Sequence, residues 1–273
     1  ILEKHLSIFM KIRNLNPKVS VLIANYNNSI YLDRCINSVL NQSYKNIEII
    51  FVDDKSSDDS IQVAKKYLKK IKIIKIKKKI GIGSFDQMKA YFEAYKKSNG
   101  NIIFFLDSDD YFHKNKISVF VEKFLSNNKL DILFDFPIKK FPNKVIIEKK
   151  KKKFYNNYWS YIFPTSCISV KKKKIEKIFR YADFKKFPDI WLDFRIGIVS
   201  NYIFNQYNYI NKNLTYYRQL EDNISSGFKH LSVNWWRRRM QAHNFIKFFF
   251  KKNKIHYKPN LDYFLTYFVN LFI

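Results

Sequence analysis

Residues 104–110 read Phe104-Phe105-Leu106-Asp107-Ser108-Asp109-Asp110. Three large apolar side chains running straight into a carboxylate cluster describe a buried strand whose C-terminal end carries an Asp-x-Asp pair. In open α/β sheets, ligands bind beyond the carboxyl ends of the strands. Two carboxylates at that place suit a hard divalent cation such as Mg²⁺, which takes oxygen ligands and commonly shares them with substrate phosphates. Three carboxylates this close also repel one another unless something cationic sits among them.

The same pattern recurs to either side. Residues 19–24 form a short β-branched apolar run that ends in Asn25-Tyr26-Asn27-Asn28. Residues 29–41 place Leu32, Cys35, Ile36, Val39 and Leu40 on the i, i+3, i+4, i+7, i+8 stripe of an amphipathic helix. Residues 47–52 read as a second strand, ending in Asp53 and Asp54. Asp58 and Asp59 read as caps for a helix over 59–69. Residues 71–76 alternate Ile and Lys like an edge strand, and Phe85, Met88, Phe92 and Tyr95 mark a third helix. Ile117, Phe120, Val121, Phe124 and Leu125 mark a fourth, before a further strand at 131–136. Strand alternating with helix predicts an α/β fold with a Rossmann-like, mostly parallel central sheet flanked by helices. Strand ends one, two and four then share one edge. That edge carries Tyr26 and Asn27, then Asp53 and Asp54, then Asp107 and Asp109.

Composition bounds the rest. A chain of 273 residues with 47% hydrophobic and 18% aromatic content builds a substantial core. The formal charge of +28 rests on 43 lysines and only 8 arginines. Lys, Ile, Phe, Tyr and Asn are abundant together and share AT-rich codons, so codon bias accounts for much of the excess. Arginine, the better reader of bases and phosphates, is not enriched, and the chain is read as having no specific nucleic-acid partner. Cys35 and Cys167 lie far apart without metal or redox spacing and read as buried thiols of a reducing, cytoplasmic compartment. The five histidines show no metal-ligand spacing, and the Gly-Ile-Gly of residues 81–83 lacks the third glycine of a dinucleotide fingerprint. The first residue is Ile1; Met10, before Lys11-Ile12-Arg13, reads as an initiator, with residues 1–9 upstream of it. The nearest approach to a membrane span is 261–273, interrupted by Asp262 and Asn270 and short of the roughly 18 residues required.

In order and spacing, Val19-Ser20-Val21-Leu22-Ile23-Ala24-Asn25-Tyr26-Asn27, Val52-Asp53-Asp54-Lys55-Ser56-Ser57-Asp58 and Phe105-Leu106-Asp107-Ser108-Asp109-Asp110 resemble the successive signatures of family 2 glycosyltransferases with the GT-A fold. The resemblance covers about residues 17–225. It implies a nucleoside-diphosphate-sugar donor (a UDP-sugar foremost), Mg²⁺ or Mn²⁺, and inversion at the anomeric carbon. It also implies a glycan or lipid-linked acceptor hydroxyl, in the surface polysaccharide biosynthesis of a bacterium. By this likeness Ala24, Tyr26, Asn27, Asp53, Asp54, Asp107, Ser108 and Arg218 bind the nucleotide sugar. Tyr26 packs near the base and Asp54 hydrogen-bonds it, while Asp107 and Asp109 hold the metal.

The resemblance extends to Phe187-Pro188-Asp189-Ile190-Trp191-Leu192-Asp193-Phe194-Arg195, which fits the family's Asp followed six residues on by Arg. Asp189 is then the base that deprotonates the acceptor, with Asp193, one turn further along, as the fallback. Leu214-Thr215-Tyr216-Tyr217-Arg218-Gln219-Leu220 with Asn223-Ile224-Ser225 resembles the closing motif, Arg218 reaching the diphosphate. Pro188 stands where relatives carry Glu, and Leu220 where many carry His. Those departures leave a catalytically degenerate nucleotide-sugar-binding or scaffold protein as the alternative. No phosphate-binding lysine is assigned in 77–89. The expected organisation is an N-terminal extension (1–16) and a catalytic domain (17–225) with a donor half (17–136) and an acceptor half (137–225). A helical segment (226–273) follows. Lys149 to Lys153 mark a loop. Trp235-Trp236-Arg237-Arg238-Arg239 suits either a peripheral contact with the cytoplasmic face of the inner membrane or a helix packed back on the domain.

Overall fold

The computed structural model describes residues 16–149, 158, 161–182, 186–206, 208–219 and 228–273. The N-terminal extension up to residue 15, lysines 150–153, Leu220 and Asn223-Ile224-Ser225 lie outside the described residues.

Element order follows the alternation read from the sequence. Strand β1 (Val19–Asn25) leads to α1 (Ser29–Leu40), β2 (Ile47–Asp53) to α2 (Ser60–Lys65), and β3 (Lys72–Lys75) to α3 (Gly83–Lys96). Next come β4 (Ile102–Asp107), the two-residue β5 (Tyr111–Phe112), α4 (Lys116–Ser126), β6 (Ile132–Lys140) and β7 (Val145–Ile147). After a 3-10 turn (Thr165–Cys167) the chain forms β8 (Ile168–Lys171), α5 (Lys172–Ala182), α6 (Leu192–Tyr202), β9 (Tyr209–Arg218), α7 (Val233–Lys252) and α8 (Leu261–Asn270). Helix α2 is shorter than the expected 59–69; tight turns occupy residues 66–70 before the β3 edge strand.

Among the described residues one sheet carries all nine strands, in the order β3-β2-β1-β4-β8-β6-β9-β5, with β7 on the flank of β6. Strands β3, β2, β1 and β4 are parallel neighbours. Strand β8 then inserts antiparallel between β4 and β6, and β5 pairs antiparallel with β9. The division expected at 136/137 falls inside β6, so a single strand serves both halves.

Helices cover both faces, so alternate residues of one strand enter different cores. Phe104 packs on Phe112 and Phe120 at 6.2 and 5.4 Å, on the α1/α4 side. Phe105 meets the edge of Tyr91 at 5.1 Å, on the side of α3, α6 and α7. Helix α7 drives Phe245, Ile246, Phe249 and Phe250 into that second core, which makes it an integral layer of the fold. Register finishes the positioning: Asn25 lies opposite Asp53, and Ala24 opposite Asp107. The loops after β1, β2 and β4 therefore leave the sheet at one level.

A buried cation ties the inserted strands together. Lys116, at the start of α4, is fully buried. Its Nζ donates to Asp135 Oδ1 on β6 at 2.8 Å, to the Ser166 carbonyl at 2.7 Å and to Thr215 Oγ1 on β9. Asp135 Oδ2 accepts from the Leu214 N–H at 2.9 Å. Burial raises the Asp135 pKa, with Lys116 opposing. Removing one member of a buried pair strands the other charge, at about 3–5 kcal/mol. Asp135→Ala is expected to cost about that much in urea unfolding, whereas Lys116→Met/Asp135→Leu recovers most of the loss.

Candidate active site

A cleft of about 400 Å³ opens over the carboxyl ends of β1, β2 and β4. Its floor begins at Asn25, whose Nδ2 donates to Asp53 Oδ1 at 2.9 Å and to Ser56 Oγ at 3.1 Å. Asn27 adopts a left-handed φ of +50°, and its Oδ1 accepts from the Ser57 N–H at 2.8 Å. Asp53 Oδ2 accepts from the Ser56 N–H at 3.0 Å. These bonds lace the first two loops into one rim. Asp58 acts as a cap, as its residue type suggested. Its two oxygens take the N–H groups of Ser29 and Ser60, at 2.8 and 3.0 Å, at the starts of α1 and α2.

Tyr26, Asp54 and Lys79 form one end of the cleft. The Lys79 ammonium lies 2.9 Å from the Tyr26 ring centroid and 3.7 Å from Asp54 Oδ2. Asp86 closes the loop beneath by accepting from the N–H groups of Ile80 and Gly81, at 2.9 and 2.8 Å; Gly81 takes φ +88° there. Burial, followed by the charge of Asp86, raises the Asp54 pKa to about 6, with Lys79 opposing. Asp54 Oδ1, Asn25 Oδ1 and Gln87 Oε1 are buried without a hydrogen-bond partner, and all three residues line the cleft. Such acceptors are costly unless a ligand donor meets them.

The Asp-x-Asp loop is held from behind. Asp107 Oδ1 accepts from Tyr91 Oη at 2.7 Å and Gln87 Nε2 at 2.9 Å. Asp110 is buried; its oxygens accept from Ser166 Oγ at 2.6 Å and the Arg218 N–H at 2.8 Å. Ser108 Oγ accepts from Asn28 Nδ2 at 3.0 Å. Burial, then the neighbouring Asp107 charge, raises the Asp109 pKa to about 7. Among the described residues no group of three or more His, Cys, Asp or Glu side chains is arranged to hold a metal ion alone. The donor set fits a cation bound by two carboxylates and completed by phosphate oxygens, the usual habit of Mg²⁺.

The far wall comes from α6, α7 and β9 through Trp191, Asp193, Arg238 and Tyr217. Burial raises the Asp193 pKa to about 6, with Arg238 opposing. Burial likewise lowers the Arg238 pKa, while Asp193 and Asp189 favour its charged form. Asp189 pairs reciprocally with Gln241 of α7: its N–H donates to Oε1 at 3.1 Å, and its Oδ2 accepts from Nε2 at 2.6 Å. Arg195, fully buried, grips the loop that carries Asp189. Its guanidinium donates to the carbonyls of Ile190, Lys186 and Phe187 at 2.9, 2.8 and 2.7 Å. The six-residue interval from Asp189 to Arg195 is thus a clamp on the loop.

Of the residues named from sequence, Ala24, Tyr26, Asn27, Asp54, Asp107, Ser108 and Asp109 line this one cleft. Asp53 braces the rim from outside the lining. Arg218 stacks on Tyr31 and Tyr111, 4.4 and 5.4 Å from their ring centroids, and its backbone anchors Asp110. Asp189 lies outside the lining, on Gln241. Lys79 and Arg238 enter the cleft without having been assigned there. Lys79 is one of three consecutive lysines in a loop without periodicity. Arg238 lies in an aromatic-basic run whose outer member, Arg239, instead donates to Asp262 Oδ1 at 3.0 Å.

This sheet, with an Asp-x-Asp pair at the end of its central strand and a cleft over the parallel strand ends, is the frame of a GT-A-type transferase. The model of Glycosyl transferase family 2 matches residues 20–230, and the chain belongs to that family. It is 31% identical over 230 residues to the poly(ribitol-phosphate) beta-N-acetylglucosaminyltransferase TarP of Staphylococcus aureus, covering 80% of this chain. The chain spans 66% of that relative's length. The structure of S. aureus TarS residues 1–349 with UDP superposes with a TM-score of 0.57 at 18% identity, covering 86% of this chain and 72% of that one. The mannosyltransferase PcManGT of Pyrobaculum calidifontis, solved with GDP-Man and Mn²⁺, gives 0.58 at 14% identity, covering 95% and 74%. Both share the α/β fold with a mostly parallel central sheet.

The raised Asp109 pKa has a signed consequence. A carboxylate whose folded pKa lies above its unfolded value of about 3.8 favours folding when protonated, and that advantage is lost as pH rises through about 7. Asp109→Asn is expected to raise the thermal midpoint of the ligand-free protein at pH 8.5 by about 3 °C or more. At pH 4 the midpoints of variant and parent coincide; scanning calorimetry across pH checks both.

Proposed function

We propose that this glycosyltransferase transfers a sugar, with inversion and in a metal-dependent way, from a nucleoside-diphosphate donor to a hydroxyl of a glycan or lipid-linked acceptor in surface polysaccharide synthesis. The observation that carries the reading is the trio of unpaired buried acceptors, Asn25 Oδ1, Asp54 Oδ1 and Gln87 Oε1, between Tyr26 and the Asp-x-Asp loop. A nucleoside supplies what they lack: base N–H for Asp54, ribose hydroxyls for the others, and an aromatic face for Tyr26. The relatives support the donor class, since TarS was solved with UDP and PcManGT with GDP-Man. A UDP-sugar is the first donor to test.

Asp107 and Asp109 are the residues that would hold Mg²⁺ or Mn²⁺, and PcManGT was solved with Mn²⁺. A cation there supplies charge for the departing nucleoside diphosphate. Arg238 and Lys79 bring two further positive charges to the cleft lining. They favour the doubly anionic diphosphate over neutral sugars. The acceptor proton passes to Asp189, which occupies the family's base position and is oriented by the Arg195 clamp and Gln241. In a second reading Asp193 is the base. Its place in the cleft lining and its pKa of about 6 favour it, because a base poised near the working pH is efficient.

In a thermal-shift screen with Mn²⁺, a matching nucleotide sugar is expected to raise the midpoint in proportion to its occupancy. Asp54→Ala weakens that donor about tenfold to a hundredfold by calorimetry. Steady-state transfer separates the bases. Asp189→Asn is expected to lower kcat by about 10²–10⁴ at unchanged donor affinity, and the same loss in Asp193→Asn alone would move the role there. If the parent itself shows no transfer and neither variant differs from it, the protein binds nucleotide sugar without turning it over.

A further inference from the structure

Helix α8 is built inside out. Its polar residues Asp262, Thr266 and Asn270 recur every four positions and so share one stripe. That stripe faces the protein. Asp262 takes Arg239 and lies 3.0 Å from His243, Thr266 is fully buried, and Asn270 Nδ2 donates to the Trp236 carbonyl at 3.2 Å. The apolar residues are left pointing outward. Leu261 is 84% exposed and Phe268 60%, with Phe264 and Leu265 also exposed; just past the helix, Leu271 and Phe272 are exposed as well. A surface helix of a globular protein normally does the reverse. A contiguous apolar patch of this kind marks an interaction site.

We infer that the outer face of α8 seats the protein on an anionic phospholipid bilayer. Charge decides between occupants. Arg237, Lys247, Lys251, Lys252, Lys254 and Lys258, on α7 and the connection to α8, are all exposed, and the chain carries +28 in all. A second copy brings the same charge, so pairing two α8 faces meets like-charge repulsion. An anionic bilayer receives the phenylalanines at its headgroup boundary and the lysines at its surface. At ten residues the helix is about 15 Å long, so it lies in the interface. Among the described residues no helix is long and apolar enough to cross a membrane. Trp235 and Trp236 are not the anchor, since both are half-buried, packing edge to face at 4.7 Å. The inference is independent of the donor site.

The test is co-sedimentation of the full chain with vesicles of phosphatidylcholine alone and of phosphatidylcholine with phosphatidylglycerol. Binding is expected only to the anionic vesicles. Phe264→Ser/Phe268→Ser, both at exposed positions, lowers the partition coefficient about tenfold or more, with an unchanged thermal midpoint. Three results would overturn the proposal: no binding by the parent chain, equal binding by the double variant, or a concentration-dependent dimer in sedimentation velocity that the double variant abolishes.

Discussion

The Lys116 ammonium is the fixed point of this structure. It sits where α4, β6, the 3-10 turn and β9 converge, and it answers Asp135, the Ser166 carbonyl and Thr215 at once. From the same knot, Ser166 Oγ accepts from the Asp107 N–H at 3.0 Å and donates to Asp110. The Asp-x-Asp loop thus hangs from a buried charge network and does not rest on its own turn. An uncompensated ammonium in this core would be very costly. The network thus joins the 3-10 turn and β9, contributed by the second half of the chain, to the loop that follows β4. Residues from both halves of the chain therefore share one buried network.

The cleft holds the opposite condition. Its carboxylates are crowded and desolvated, its acceptors are partly unpaired, and Asp54, Asp109 and Asp193 all carry raised pKa values. Such a site is destabilised until cationic and hydrogen-donating groups enter it. Stability concentrated in the Lys116 network behind the loop lets the front of the site remain unsatisfied. This is the usual division between scaffold and functional surface.

The sheet and the acidic strand ends were legible because two periodicities and a local density of Asp carry them. Phe104 and Phe105 announce a strand buried on both faces, and the carboxylates after Leu106 announce its end. Other features left no such trace. Strands β5 and β8 are too short for a period, so the antiparallel insertions came only from the structure. Lys79 is indistinguishable in sequence from Lys77 and Lys78; only the Asp86 turn selects it. Arg237, Arg238 and Arg239 are adjacent, yet successive helical positions point about 100° apart. One is exposed, one faces the cleft and one faces Asp262. The interruptions at Asp262 and Asn270 were visible in sequence, but which side of α8 turned inward depended on Arg239 and His243.

The Arg195 clamp gives the interval to Asp189 a meaning of its own. A guanidinium that grips the carbonyls of residues 186, 187 and 190 works as a ruler. It fixes how much chain lies between helix α6 and the carboxylate, whatever sugar or acceptor the cleft receives. The spacing therefore records tolerances of assembly more than chemistry. Position 188 belongs to the loop being measured, not to the device that measures it. Proline can stand there without altering the reach of the arm.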